Sequence, residues 1–239
     1  MKKIRLVTFI LFGLFIAVVS CIFTGPSIRG EGEVTKERRM PPAFEKVAVS
    51  RGLEVYLVAD SVEYVVVEAD ENLQEVITTE VNDETLEIST SHFIRSARSK
   101  KVHLHYKHLN GIKSGTGSTL RSEGTVRSKK LAISANTGSQ QDLDVHAGSF
   151  EARCSSGAQV RLSGIAREAR LMAATGANLE GKEFSGDDCY TKASSGGHIR
   201  TGVKRTLEAE ATSGGHIYFS GNPQTRKLDS SSGGQIHEE

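Results

Sequence analysis

The sequence predicts an all-β protein built as a parallel β-helix with coils of about 19 residues, and two observations support that prediction. The first is a glycine that follows Ser or Thr and returns at intervals of 18 to 21 residues. The second is that residue types repeat in columns around this glycine. The columns step by two residues, which is the period of a β-strand. The anchor glycines are Gly117, Gly138, Gly157, Gly176, Gly196, Gly214 and Gly233.

Four columns define the repeat. The position before the anchor always carries a hydroxyl, in Thr116, Thr137, Ser156, Thr175, Ser195, Ser213 and Ser232. Position minus three is small, in Ala135, Cys154, Ala173, Ala193, Ala211 and Ser230. Position minus five is mostly apolar, in Ile133, Ala152, Leu171, Thr191, Ala209 and Leu228. Position plus three is apolar except at Gln141, in Leu120, Gln141, Val160, Leu179, Ile199, Ile217 and Ile236.

A repeat of this length has no room for a helix and two strands. It fits one coil of a parallel β-helix, in which equivalent positions stack about 4.8 Å apart. The anchor glycine supplies a backbone conformation that a side chain would hinder, so each Ser/Thr-Gly pair predicts a turn. A β-sandwich or barrel is the alternative, but it does not explain why residue identity returns with every coil.

The first 43 residues are predicted to be a targeting signal followed by a tether. Residues 1–20 have a basic start and an apolar run too short for a comfortable membrane span, which indicates a signal peptide. Ser20 directly before Cys21 resembles the lipobox of bacterial lipoproteins, which implies cleavage before Cys21 and lipidation of its thiol. Ordinary secretion with cleavage nearby is the alternative. Residues 21–43 are polar and charged and are predicted to form a flexible tether.

Residues 44–239 are predicted to form one β-helix domain. Residues 109–239 supply seven regular coils, and residues 44–108 supply a β-rich start that covers the first edge. Alternating patterns predict strands at 45–50, 53–58, 63–69, 85–90 and 101–107. Residues 69–77 predict a short helix capped by Asp70.

These segments also carry a family resemblance. A lipobox is followed by FEKVAVSRGLEVYLV, EADENLQEVI and ETLEIS, and LNGIKSGTGSTL opens the Ser/Thr-Gly coils. In this order they resemble the bacterial DUF2807 family, labelled "putative auto-transporter adhesin, head GIN domain". The resemblance covers about residues 44–239. It implies a β-helical envelope protein, and it brings no active-site residues with it.

Two outward columns can also be identified, and the first of them is a candidate for binding. Position plus two carries polar side chains that can form hydrogen bonds from coil to coil, and we name six of them the binding column: Gln140, Gln159, Asn178, His198, His216 and Gln235. Position plus four alternates in sign through Arg121, Asp142, Arg161, Glu180 and Arg200. Neighbouring coils are therefore expected to pair opposite charges, which penalises a slip by one coil.

Histidines raise the question of a metal. His198 and His216 share a column in adjacent coils and could share an ion, but the neighbouring Asn178 and Gln235 are poor zinc ligands. His103 and His105 lie two apart on one strand face, with His108 close by, and no acidic third ligand is evident from spacing. We expect a polar surface ladder at His198 and His216 and a solvated strand face at His103 and His105, with no metal and no cofactor.

Catalysis is weakly indicated. Two serine–histidine combinations, Ser195 with His198 and Ser213 with His216, resemble part of a hydrolase site, yet the chain contains no Gly-x-Ser-x-Gly elbow. Polysaccharide-cleaving β-helix enzymes need a cluster of acids, or acids with Arg or Lys, on one face, whereas the plus-four charges alternate and would neutralise each other. Cys154 and Cys189 are predicted to be buried thiols, because two coils separate them by about 9.6 Å, beyond disulfide reach.

The sequence therefore predicts a non-enzymatic, lipid-anchored cell-envelope protein, adhesin-like or a scaffold, that binds a glycan or protein partner through stacked surface columns. A carbohydrate-active, polysaccharide-cleaving enzyme is the alternative. Without residues 1–20 the chain has 27 basic and 29 acidic residues, so its net charge of −2 gives no reason to expect nucleic acid. We expect a periplasm-facing anchor in the outer membrane. Charges at the last coil, in His237, Glu238 and Glu239, either block end-to-end pairing or are covered in a homo-oligomer.

Overall fold

The structure is a computed structural model that describes residues 26–239. Strands stack in parallel, coil on coil, into a β-solenoid of about seven turns, so the predicted parallel β-helix is confirmed. Within the described range there is no α-helix, and no helix is long and apolar enough to cross a membrane.

Eighteen strands make up this range. The first ten are β1 (Ser27–Arg29), β2 (Val34–Arg39), β3 (Lys46–Val49), β4 (Glu54–Ala59), β5 (Tyr64–Asp70), β6 (Ile77–Asn82), β7 (Thr85–Thr90), β8 (Phe93–Ser96), β9 (Lys100–Tyr106) and β10 (Gly111–Ser114). The others are β11 (Thr119–Ala135), β12 (Gln140–Cys154), β13 (Gln159–Ala174), β14 (Asn178–Ser194), β15 (His198–Ala211), β16 (His216–Ser220), β17 (Thr225–Ser230) and β18 (Gln235–Glu238). The strands predicted within 44–108 correspond to β3, β4, β5, β7 and β9.

Each long strand from β11 to β15 carries one coil, and it bends in its middle. The segments on either side of the bend pair in register with the next coil, as Gln159 does with Asn178 and Ala173 with Ala193. The register shifts at the bends, for example between Arg161 and Ser163. Coils of different length differ in residue number at these bends, so the columns near the anchor glycines stay aligned.

The anchor glycines form the predicted stacked turns. In each turn both the hydroxyl residue and the glycine have positive φ, as in Ser156 (53°) and Gly157 (69°). Two consecutive positive φ values define a type I′ turn, and the N–H of Ala158 donates to the carbonyl of Ser155 at 3.1 Å to close it. The N–H of Gly157 donates to the carbonyl of Thr175 in the next coil at 3.1 Å. The turns therefore form their own hydrogen-bonded ladder along the solenoid.

The interior consists of the small and apolar columns, with Phe150, Phe184 and Phe219 among its largest buried side chains. The Phe150 and Phe184 rings pack at 5.4 Å between centroids. Gln141 is the polar exception in the plus-three column and is also buried. Its side-chain N–H groups donate to the Ser114 hydroxyl at 2.8 Å and the Ser134 carbonyl at 3.0 Å, which offsets part of the cost of burying an amide.

Residues 44–108 continue the sheets of the solenoid toward its first end, as predicted. Strand β4 pairs in parallel with the first half of β11, and β3 pairs in parallel with β10. Beyond them the pairing becomes partly antiparallel. Strand β5 pairs with β9 and β2, and β6 pairs with β7. A change of direction at the end of a parallel stack covers the interior without another coil.

The prediction of a flexible tether at 21–43 does not hold for its described part. Strand β2 pairs antiparallel with β5 along its whole length, and β1 pairs with β8. Arg39 adds hydrogen bonds of 2.6 Å to the carbonyls of both Gln74 and Ile77. The sequence of this segment predicted a tether because β2 is an edge strand with both faces in water, and such a strand does not need alternating apolar residues. Residues 1–25, with the predicted signal peptide and Cys21, lie outside the described range.

The predicted short helix at 69–77 is reduced to a 3₁₀ turn, Glu71–Leu73. Asp70 precedes it without a side-chain capping bond. The Asp70 carboxylate is instead buried and accepts hydrogen bonds from the backbone N–H groups of Arg98 and Ser99, at 3.0 Å each. Asp70 therefore ties the loop before β9 to the end of β5.

At the other end, charged residues occupy inward columns. Arg226 is in register with buried Leu207, and Glu238 is in register with buried Phe219. The two side chains form an ion pair at 2.6 Å, and the Arg226 guanidinium lies 5.5 Å from the Phe219 ring centre. Leu228, predicted to be interior, is 47% exposed because β17 has one neighbouring strand within the described residues. The homo-oligomer through this edge stays a prediction.

Substituting the two glycines of one turn should have unequal effects. Gly196 has φ +72° and open space around a Cβ, so Gly196→Ala should cost about 1 kcal/mol of left-handed strain. A Cβ on Gly197 would lie 2.3 Å from the carbonyl oxygen of Ala173, so Gly197→Ala must displace backbone and should cost about 3 kcal/mol. Urea unfolding measures both. Ala158→Gly is the control. Ala158 follows its anchor glycine as Gly197 does, and its coil already accommodates a Cβ at this position. Equal losses of unfolding free energy at positions 196 and 197 would contradict this prediction and show that the coil widens locally to accommodate the Cβ.

The buried thiols should make the protein sensitive to alkali. Cys154 and Cys189 are free and buried, as predicted, and burial raises the pKa of each thiol to about 12. An unfolded thiol has a pKa of about 8.5, so folding stability should fall as the pH rises from there toward 12. Cys154→Ala with Cys189→Ala should flatten this decline, measured as urea midpoints between pH 7 and 11. An unchanged slope would contradict the assignment.

Candidate functional site

The binding column is a continuous line on the surface. Gln140 pairs in register with Gln159, and the register continues through Asn178, His198 and His216 to Gln235. Most of these side chains are exposed, and His216 is half-buried. Within residues 26–239 no hydrogen bond joins one member of the column to the next, so the predicted coil-to-coil amide bonds do not form. The four amide residues of the column are exposed, so they are available to a ligand.

The two histidines of the column stack face to face. Their ring centroids are 4.8 Å apart and their planes differ by 8°. Equivalent nitrogens in parallel rings are then about one strand spacing apart, and their lone pairs point in parallel directions. A zinc ion bound to both would need Zn–N distances of about 2.0–2.1 Å with converging lone pairs. The stack is therefore a polar surface ladder and not the geometry of a shared metal site.

A second aromatic stack lies beside the first, in the plus-four column. Tyr218 and His237 stack at 5.3 Å between centroids, and the Arg200 guanidinium lies 5.3 Å from the Tyr218 ring centre. We name the surface formed by His198, His216, Tyr218 and His237 the aromatic end of the binding column. Each ring holds its neighbour in place, so the exposed ring edges form a fixed array of hydrogen-bonding groups.

The alternating charges of the plus-four column pair only in part. Arg200 bonds Glu180 at 3.2 Å and Glu239 at 2.8 Å. At the other end of the same column, Arg121, Asp142 and Arg161 make no ion pair with one another within 4 Å, as far as the described chain shows. They surround a small cleft of about 30 Å³ together with Gln140 and Gln159. Opposite charges thus contribute to register without forming a continuous ladder.

His103 and His105 share the outer face of β9, as predicted. His103 stacks on Tyr56 at 5.1 Å, and His105 stacks on Tyr64 at 3.9 Å. His105 Nδ1 lies 3.0 Å from the Asp60 carboxylate, and this hydrogen bond holds the pKa of Asp60 below its usual value. Spacing did not reveal this acidic neighbour because it reaches His105 through the β4–β9 pairing. Within the described part of the chain, no group of three or more metal-ligating side chains converges.

The candidate serine–histidine pairs do not form. Ser195 and Ser213 occupy the first central position of type I′ turns, with φ of 48° and 50°. In the part of the chain that the structure describes, neither hydroxyl bonds to His198 or His216. The serines therefore serve the turns.

Acids do gather in one cleft, of about 330 Å³, beside Arg170 and Tyr190. It contains the carboxylates of Glu151, Glu168, Asp188 and Glu208. Each of them has a cationic partner, respectively Arg153, Arg167, Arg205 and Lys227. A general acid or base must be free to contact the glycosidic oxygen or the attacking water, and each of these carboxylates is instead engaged by a cation. This pairing disfavours the polysaccharide-cleaving alternative.

A larger groove, of about 1390 Å³, was not anticipated from the sequence. It runs along the bends of successive coils. We name this groove the basic groove after its basic side chains, which are Arg127, Lys129, Lys130, His146, Arg167 and Lys204. Three carboxylates also line it, those of Glu45, Glu168 and Asp187. Columns counted forward from the anchors do not align there, because coil length varies before the bend. Counted backward from the next anchor they do align, since Arg127, His146 and Ile165 each lie 11 residues before one.

Comparisons with known proteins agree with the architecture. The family described as "Putative auto-transporter adhesin, head GIN domain", DUF2807, matches residues 43–223. A "putative adhesin" from Bacteroides fragilis has a similar structure, with a TM-score of 0.81 and 18% identity, covering 89% of this chain and 100% of that one. No curated protein matches the chain.

Two structures from Parabacteroides distasonis have the same fold. A "putative adhesin" has a TM-score of 0.72 at 16% identity, covering 89% of this chain and 100% of that one. A "Putative lipid binding protein" has a TM-score of 0.68 at 14% identity, covering 89% of this chain and 99% of that one. At these identities the likeness concerns the fold.

Proposed function

Because the chain belongs to the DUF2807 family of adhesin-like proteins, we propose that it is a non-enzymatic, lipid-anchored cell-envelope protein that binds a glycan through its binding column. The observation that carries this proposal is the aromatic end of the column. There His198 and His216 stack at 4.8 Å beside Tyr218 and His237, which stack at 5.3 Å. A rigid solenoid presents these groups at regular intervals.

This array is suited to binding sugars because it offers many hydrogen-bonding groups whose side chains have little conformational entropy to lose. Stacked rings and strand-borne amides are already ordered before binding, so less side-chain entropy is lost when a ligand docks. Successive coils repeat at about 4.8 Å, so a chain of similar units can contact several coils in the same way. An envelope protein with repeated polar groups on an edge is the alternative partner.

If the binding column holds the glycan, substitution of its two histidines should specifically weaken glycan binding. The double variant His198→Ala with His216→Ala should weaken binding about tenfold or more on a glycan array, because both substitutions remove ordered hydrogen-bonding groups from the aromatic end of the column. His103→Ala with His105→Ala is the matched control, since it removes another pair of stacked histidines elsewhere. Binding unchanged in the first variant would contradict the proposed site. Fragmentation of a bound polysaccharide would instead favour the enzyme alternative and direct attention to the Glu168 and Asp188 cleft.

The anchor proposal depends on Cys21. Cys21→Ser should move the protein from the membrane fraction to the soluble fraction, since lipid attachment at this thiol is the proposed tether. Cys154→Ala is the control, because it changes a buried thiol and should leave fractionation unaltered. Retention of Cys21→Ser in the membrane fraction would contradict lipid anchoring. Protease digestion of intact cells should leave the protein uncut if it faces the periplasm.

A further inference from the structure

The basic groove gathers several cations without a carboxylate partner in one place, unlike a neighbouring face of the solenoid. Lys192 and Lys227 on a neighbouring face each contact a carboxylate within 2.7 Å. Arg127, Lys129 and Lys130 are exposed, and across residues 26–239 none of them has a carboxylate within 4 Å. Three unneutralised cations in four consecutive residues produce a local positive potential on a chain whose net charge is close to zero.

The charge extends across coils. Arg127 donates a hydrogen bond to His146 Nδ1 of the next coil at 2.8 Å, so that ring nitrogen is an acceptor and does not neutralise the guanidinium. Farther along, Arg167 lies 3.7 Å from Glu168, and Lys204 lies 3.6 Å from Asp187. The groove therefore has an unpaired cationic end and a partly neutralised end. An anionic ligand should bind most strongly beside Arg127, Lys129 and Lys130.

The floor of the groove is shallow and apolar. Ala147, Gly148 and Ala166 line it, and Ile165 is 43% exposed there. A Cβ on Gly148 would lie 2.8 Å from the carbonyl oxygen of Lys129, so the coil approaches closely at this point. The C–H faces of sugar rings pack on such surfaces, while their acidic substituents reach the surrounding cations. The lining contains no Phe, Tyr or Trp for nucleic-acid bases to stack on, and its aromatic rings are those of His108 and His146.

From these features we infer that the basic groove binds an acidic polysaccharide, one whose sugar units carry carboxylate groups. The inference rests on the proposed function for the ligand class, but it shares no residue with the binding column. The cations lie on alternate coils, with Arg127, Lys129 and Lys130 on β11, Arg167 on β13 and Lys204 on β15. They are therefore separated along the solenoid by about 9.6 Å, or two strand spacings, and a polymer with repeated negative groups gains several contacts at once. A single free carboxylate would gain only one.

Polygalacturonate is the test probe, and dextran is its neutral counterpart. We expect the intact protein to bind polygalacturonate and not dextran, with affinity that falls as salt is raised. Arg127→Glu with Lys129→Glu should weaken binding about tenfold or more, because two attractive contacts become repulsive. Lys113→Glu with Lys182→Glu is the matched control, since it changes net charge equally at exposed positions outside the groove. Circular dichroism and urea unfolding confirm that all variants fold.

A second pair of variants tests the floor. Ile165→Ser should weaken polygalacturonate binding severalfold, whereas Val62→Ser should not. Val62 is 44% exposed and lies away from the groove. The inference is overturned if wild-type protein fails to bind polygalacturonate, if the groove and control charge variants lose affinity equally, or if binding occurs only to vesicles of anionic lipid. His198→Ala with His216→Ala should leave polygalacturonate binding intact, so failure of the column proposal is distinguishable from failure here.

Discussion

Parallel hydrogen bonding between successive coils, kept in register at the turns, is the constraint on which the rest of the molecule depends. Each turn contains two residues with positive φ, and one of them carries a side chain, in a conformation that costs about 1 kcal/mol or more. That cost is offset because the turn bonds to the turn of the next coil, as Gly157 does to Thr175. Once the turns are aligned, the inward and outward columns on both sides of them follow.

The sequence was most informative where this constraint acts. The anchor glycines and hydroxyl residues predicted the coils, the interior columns and the alignment of Gln159, Asn178 and His198, because every coil must satisfy the same turn geometry. It was least informative where a strand lies at an edge or a coil bends. Strand β2 carries no apolar alternation, since neither of its faces is buried, and the residues of the basic groove lie beyond register shifts that disturb forward counting.

Side-chain partners also escaped prediction when they depended on pairing between distant strands. Asp60 contacts His105 across the β4–β9 pair, and Arg226 meets Glu238 over the end of the interior. Both contacts involve residues of ordinary type at unremarkable spacing. The aromatic end of the binding column was partly foreseeable, because the return of His at the same position in two coils predicts a stack, but the second stack of Tyr218 on His237 joins unlike residues.

The stacked type I′ turns have a consequence for how such a protein can change length. Because each coil meets its neighbours through the same backbone bonds, a duplication or deletion of one whole repeat would lengthen or shorten the rod by about 4.8 Å and leave the remaining coils undisturbed. Loss or gain of a few residues is tolerated only at the bends, where coils already differ. Genetic recombination between repeats could thus alter the reach of the protein without redesigning its interior.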